Sequence, residues 1–374
     1  MKISKITTVV FCALIGGISL ASLVAPTRAE SETENRSLAQ MPEFSLKALF
    51  SGEFSKGYED FITDQFIFRD NWIAAKTTSE KILGRRESNG VYLAKDGYFI
   101  DGTIPDSEQA EKNLGYLTTF AEDLNGKYNL KILIVPTASL ILSDKLPYGA
   151  PVWDQSAYLD RISQLPGALD VRNELVYHSS EYIYYRTDHH WTADGMYIAY
   201  TSLCESLGIV PLKPDEILRT TLSDDFLGTV IAKVGIKTTP DTLIDLTSKA
   251  QPSIHVSYNF GATESDSLYV SEKLSTRDKY GVYLGGNPAI ADITTSVKNG
   301  RVLVMAKDSY AHCMLPLLAN HYERMIVIDL RSFNGGLETY LDTLKSEGVE
   351  GDDVVVLYSA SGFANDRSVF WMKR

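Results

Sequence analysis

The sequence predicts an α/β fold, a parallel sheet flanked by helices, and two observations carry that prediction. First, residues 131–135 (Lys-Ile-Leu-Ile-Val), 301–305 (Arg-Val-Leu-Val-Met), 325–328 (Met-Ile-Val-Ile) and 353–358 (Asp-Val-Val-Val-Leu-Tyr) are short, almost wholly apolar runs. They lack the polar alternation of a sheet with one wet face, so both of their faces are covered, as in a parallel sheet. Second, the last three runs are separated by segments of helical character, 311–320 and 336–346. Strand and helix in alternation give crossover connections and strands that run the same way. In such sheets, functional groups gather beyond the carboxyl ends of the strands.

At the N-terminus, Lys2 and Lys5 precede or open a stretch, residues 6–25, that carries no charge, and Thr27-Arg28-Ala29 offers small residues where a signal peptidase reads. The run also reaches the roughly 20 residues needed to span a bilayer. Residues 1–29 are a signal peptide or a membrane anchor, and both readings place the remainder outside the cytoplasm, secreted or anchored. Residues 30–85 read as a polar tether (30–40) followed by amphipathic helices, because Leu46, Leu49, Phe50, Phe54, Tyr58, Phe61 and Ile62 recur mostly at three- and four-residue steps. Packing against the domain behind them is the leading reading of that face. A membrane-surface helix is the lesser one, because the stretch is not basic. Residues 86–374 form the main domain. Within it, about 212–280 breaks the strand–helix rhythm with Thr, Ser, Asp and Lys, and reads as an insertion of loops and short strands.

Charge narrows the function. The formal net charge is −12, from 48 acidic and 36 basic residues, and no block of Lys and Arg is long enough to track phosphates. Nucleic acid is therefore not an expected partner. A neutral or weakly charged glycan fits the acidic balance better than a strongly anionic polymer. Of three cysteines, Cys12 lies in the apolar N-terminal run. Cys204 and Cys313 make no disulfide framework, so stability must come from an ordinary core.

Two places hold more chemistry than packing needs. In Tyr184-Tyr185-Arg186-Thr187-Asp188-His189-His190-Trp191-Thr192, ionisable groups crowd ahead of a helix expected from about 193 to 207, with Thr192 as its cap. In an extended segment Asp188 and His190 share a side while His189 faces elsewhere. A carboxylate beside an imidazole fixes the tautomer and stabilises the charge that a general base acquires. In Lys307-Asp308-Ser309-Tyr310, a serine sits where a strand turns into a helix, beside the first free N–H groups of that helix. Acyl transfer needs that combination of nucleophile and oxyanion donors. A capping serine is the competing reading. Gly285-Gly286-Asn287 is open between further oxyanion donors and a tight turn, Trp191 between sugar stacking and a loop anchor, and Arg186 and Lys307 between substrate contacts and surface charge. His312, three residues after Ser309, is a minor candidate for a substitute base, and Cys313 reads as a buried, inert thiol.

The motif Asp188-His189-His190-Trp191 resembles the signature of the DHHW family. The likeness extends over Glu34-Asn35-Arg36-Ser37-Leu38, Asp64-Gln65-Phe66-Ile67-Phe68-Arg69-Asp70, Leu284-Gly285-Gly286-Asn287, Lys307-Asp308-Ser309-Tyr310 and Ile328-Asp329-Leu330-Arg331, in matching order. That family is similar to the SGNH-hydrolase-like proteins that O-acetylate alginate. The resemblance implies an SGNH-hydrolase-like fold with permuted motif order, Asp and His before Ser. It implies Asp188 as orienter, His190 as base and Ser309 as nucleophile, with Gly286, Asn287, Tyr310, Trp191 and Arg186 as candidates around the oxyanion and substrate. Lys307 stands where the esterases have glycine, so the backbone donor there is arranged differently. The implied activity is O-acetylation of an exopolysaccharide or cell-surface glycan, with no cofactor, a polysaccharide acceptor, and an acetyl donor delivered by a membrane-bound O-acyltransferase. A carbohydrate acetylesterase of the same fold and a non-catalytic glycan-binding or assembly protein are the alternatives. Asp188-His189-His190 is also compatible with a metal site, a minor reading because His178, His255, His312 and His321 show no ligand spacing.

Overall fold

The computed structural model describes residues 2–31, 36–349 and 351–373. They fall into two compact units, one of residues 1–85 with 231–237, the other of 86–230 with 238–374.

The first unit opens with α1 (Lys2–Val24), an exposed helix whose stretch Lys5–Ser22 is long and apolar enough to cross a membrane. Within the segment read as a tether, Glu30–Ser31 pairs antiparallel with Arg36–Ser37. Glu34 and Asn35 lie outside the described residues. Three amphipathic helices follow, α2 (Leu46–Ser51), α3 (Glu53–Asp64) and α4 (Arg69–Ile82). Ser45 caps α2 by accepting the Ala48 N–H at 3.0 Å.

The second unit is built on a seven-stranded sheet. Its strands are β1 (Asn129–Val135), β2 (Ile254–Tyr258), β3 (Thr263–Ser265), β4 (Ile290–Thr295), β5 (Val302–Lys307), β6 (Arg324–Ile328) and β7 (Asp353–Ser359), in the order β3-β2-β4-β6-β5-β7-β1. The four apolar runs are β1, β5, β6 and β7, and these pair in parallel. Successive side chains alternate between faces. Leu303, Met305, Val355 and Leu357 pack on one side, with Met196, Tyr200 and Leu203 of α6 (Ala193–Ser206). Val304, Ala306, Val354 and Val356 pack on the other, with Leu117 and Phe120 of α5 (Ser107–Leu124) and Leu341 of α7 (Leu337–Ser346).

Two expectations need correction. The sheet is mixed: β4 pairs antiparallel with β6, β2 with β4 and β3 with β2, and β2 and β3 come from the segment read as an insertion. Ile217–Phe226 and Asp241–Ser248, from the same segment, pair with each other. Half-polar strands such as Ile-His-Val-Ser-Tyr do not announce themselves as central-sheet members. The helix expected at 311–320 is a 3-10 turn, Ser309–Met314, followed by a four-residue helix, Leu315–Leu318, with Pro316 in its first turn. Proline lacks an N–H and is tolerated only at a helix start, so a continuous α-helix through 316 is excluded.

Phe120 is wholly buried. Replacing it with Ala should cost about 3–5 kcal/mol, read from denaturant unfolding, and a loss under about 1 kcal/mol would mean that α5 does not pack on this face as described.

Candidate active site

The carboxyl ends of the parallel strands present Asp308-Ser309 after β5, Asp329 after β6 and Ser359 at the end of β7. Asp308 caps the 3-10 turn: Oδ1 accepts the Tyr310 N–H at 2.9 Å, and Oδ2 accepts the Ser359 N–H at 2.9 Å and its hydroxyl at 2.8 Å. The Ser309 turn is thereby tied to β7. Gly362 leaves room for this contact, since a Cβ there would sit 2.5 Å from both Asp308 Oδ2 and Ser359 Oγ. Ser309 itself is half-buried.

Residues 185–190 form a tight bend rather than the expected extended segment, closed by the Tyr184–Trp191 bridge and by the Tyr185 N–H on the His190 carbonyl at 3.2 Å. Asp188 and His190 meet all the same. Asp188 Oδ1 accepts the His190 N–H at 3.0 Å and a short hydrogen bond from His190 Nδ1. His190 Nε2 lies 2.7 Å from Ser309 Oγ. The structure thus brings together the three residues singled out as nucleophile, base and orienter.

Four contributors carry no motif in the sequence. Thr229 donates its N–H to Asp188 Oδ2 at 2.8 Å and its hydroxyl at 3.2 Å. A side chain at Gly228 would collide with the Asp188 carboxylate. Asp241 gathers the Thr187 N–H and hydroxyl at 2.8 and 2.6 Å, the Arg186 N–H at 3.2 Å and the Tyr182 hydroxyl, which sets the bend. Tyr280 stacks on the His190 ring, centroids 3.8 Å apart. A Gly-Thr pair and a lone Asp or Tyr are too common to be found without the fold.

Burial opposes charge at both triad ionisables. It would raise the Asp188 carboxyl, but the imidazoles of His189 and His190 outweigh it and hold that group well below the usual carboxylate range. His190 is lowered, first by burial and then by the charge of His189, against the pull of Asp188. A lowered imidazole is free base at neutral pH, the state that can accept the Ser309 proton. His189 is raised: burial lowers it, and Asp188, 3.5 Å from Nδ1, more than offsets this.

The other candidates divide. Trp191 is fully buried and its indole donates to the Tyr310 carbonyl at 3.0 Å, so it anchors the bend and has no free face for a sugar. Tyr310 is buried as well, with its hydroxyl on the His189 carbonyl and its N–H occupied by Asp308, which removes it as an oxyanion donor. The Gly286 N–H donates to the Tyr283 carbonyl at 3.2 Å within a turn that has φ of 72° at Gly285 and 124° at Gly286. The tight-turn reading holds for that glycine. Asn287 Oδ1 accepts from Arg331 at 3.0 Å. Arg186 is exposed, its guanidinium 5.4 Å from the Tyr98 ring and 4.7 Å from the Tyr182 ring. Lys307 is no surface charge: it is sealed from solvent, 2.8 Å from His312 Nε2 and 3.2 Å from Asp329 Oδ2. Cys313 is buried and its thiol is pushed up to about 12 by burial, an inert state. Asp188, His189 and His190 offer ligand atoms within 4.8 Å of one another. Both Asp188 oxygens already accept N–H donors, which a cation would have to displace.

An NMR titration of the His190 ring should give a midpoint below the ordinary histidine value of about 6.5, with the neutral form persisting as pH falls. His189→Gln removes a neighbouring positive charge and should move that midpoint upward. A downward or absent change would remove His189 from this role.

The profile of the DHHW protein family matches residues 109–328. A DHHW family protein from Eubacterium siraeum DSM 15702 superposes with a TM-score of 0.63 at 24% identity, covering 77% of this chain and 96% of that one. PatB1 of Bacillus cereus, solved with a sulfonyl adduct, gives 0.62 at 17% identity, covering 76% and 100%. A comparison with the curated proteins finds no match. The second unit shares the α/β fold of these two structures, and the chain belongs to the DHHW protein family.

Proposed function

We propose that this protein is an exported O-acetyltransferase that modifies an exopolysaccharide or cell-surface glycan through an acetyl-Ser309 intermediate. The observation that carries the reading is the hydrogen-bonded line Asp188–His190–Ser309, buried at one end and reachable at the serine. His190 takes the Ser309 proton as Oγ attacks the acetyl carbon of an ester or thioester. The leaving group departs with that proton, and a sugar hydroxyl, deprotonated by His190, then attacks the acetyl-serine. Transfer prevails over hydrolysis where the sugar is held in line and water is not. The preference for transfer, the polysaccharide acceptor and a donor delivered by a membrane-bound O-acyltransferase rest on the family resemblance.

Incubation with a chromogenic acetyl ester and an oligosaccharide, followed by mass spectrometry, tests this. An acetylated Ser309 peptide with acetylated sugar supports transfer. Acetate alone means an esterase, and neither product means a binding protein. Ser309→Ala should abolish turnover, and Asp188→Asn should lower it by about 10³- to 10⁴-fold, as loss of the orienting carboxylate does in other triads.

The intact mass of the purified protein separates the two readings of residues 1–29: a mass that includes them means a retained anchor, and an N-terminus at Glu30 means a cleaved signal.

A further inference from the structure

The 3-10 turn that carries Ser309 also carries His312. Residues three apart in such a turn project from the same side. His312 is 2% exposed, and its Nε2 meets the Lys307 amine at 2.8 Å. Lys307 has no solvent exposure and is backed by Asp329, whose carboxylate is also gripped by Arg331 at 2.8 Å on one oxygen and 2.5 Å on the other. Burial lowers the lysine to about 8, against the pull of Asp329, which leaves it mainly an ammonium at neutral pH.

An ammonium has three N–H bonds and no lone pair, so at this contact Nε2 of His312 is the acceptor. The ring is neutral, because burial, and after it the charges of Lys307, His190 and Arg331, hold its pKa well below the usual value. A neutral imidazole that accepts at Nε2 carries its proton on Nδ1. His312 cannot then serve as a substitute base toward Ser309, because its lone pair is taken. Among the described residues Nδ1 has no hydrogen-bond partner. Nδ1 is not one of the sealed polar atoms left without a partner, so the small exposure of His312 includes this nitrogen. It is a donor open to solvent one turn from the serine, in a site where the N–H groups of Tyr310 and Gly286 are already occupied.

We propose that the Nδ1–H of His312 donates a hydrogen bond to the acyl carbonyl oxygen as Ser309 attacks, making His312 a further catalytic residue. The inference rests on Ser309 being the acylated group. In the step, the Oγ–C bond forms, the carbonyl π pair moves onto oxygen, and the Oγ proton passes to His190 Nε2. The oxyanion is met by His312 Nδ1–H together with the Ser309 N–H at the first position of the turn, which makes no backbone hydrogen bond among the described residues. When the tetrahedral species collapses, the bond to the leaving group breaks and His190 returns the proton. Lys307 acts through His312: its ammonium polarises the ring toward donation, a use for a buried cation that surface placement would not give.

Two substitutions separate the nitrogens. The amide of Asn can place an N–H near the position of Nδ1 but leaves Lys307 without its acceptor. Gln can place an oxygen near Nε2 for Lys307 and has no donor near Nδ1. Acylation by a chromogenic acetyl ester, measured with thermal unfolding on the full chain, should fall about 10²-fold in His312→Gln and less than tenfold in His312→Asn. A His312→Gln protein that acylates at the wild-type rate overturns the proposal, as does His312→Asn falling as far as His312→Gln at unchanged stability. Should either variant unfold, nitrogen-15 NMR of the wild type decides. An Nδ1–H tautomer whose proton moves downfield when a phosphonate adduct forms on Ser309 supports the donor, and an Nε2–H tautomer or an unmoved proton overturns it. Ser309→Ala acylating like wild type would sink the triad reading itself, a result distinct from any of these.

Discussion

Two hydrogen bonds join loops that lie about 120 residues apart in the chain, and the site depends on them. The Trp191 indole donates to the Tyr310 carbonyl, across 119 residues, and the Tyr310 hydroxyl returns to the His189 carbonyl, across 121. Both rings are buried. The clamp sets the His190 loop against the Ser309 turn, and the 2.7 Å contact between His190 and Ser309 follows from it. A pair of fully packed aromatics, each with its polar atom satisfied, fixes position more firmly than exposed ion pairs could.

Around that clamp, charge is placed where water cannot reach it, and each charge has its compensation close by. Asp188 is nearly sealed, yet every oxygen lone pair it presents meets an N–H or O–H donor from His190 or Thr229. Lys307, Asp329 and Arg331 make a second set beside the Ser309 turn, with only Arg331 reaching solvent. Burying such groups costs several kcal/mol per ion before partners are counted. Their presence at the carboxyl edge of the sheet is consistent with use in chemistry rather than in folding alone.

Much of this was legible in the sequence, for physical reasons. Strands buried on both faces leave apolar runs, which is why β1, β5, β6 and β7 stand out. The Ser309 motif follows such a run directly, and Asp188 and His190 sit in a short polar motif just ahead of a helix. The antiparallel-paired strands β2, β3 and β4 were not legible, because each carries polar residues within its run. Gly228, Thr229, Asp241 and Tyr280 escaped for another reason: they matter through contacts made only when distant segments meet. The same gap affected Lys307. A lysine in a sequence reads as solvated, and only the fold shows that its amine ends beside His312 and Asp329.

The tie between Asp308 and Ser359 has a consequence for timing. In the sheet, β7 lies between β5 and β1, although it is the last of the seven to emerge from the ribosome. Until it threads into place, the elbow holding residue 309 lacks the two donors that fix its shape. A chain that has not yet received β7 therefore holds this turn loosely, and its final shape arrives only with the closing strand.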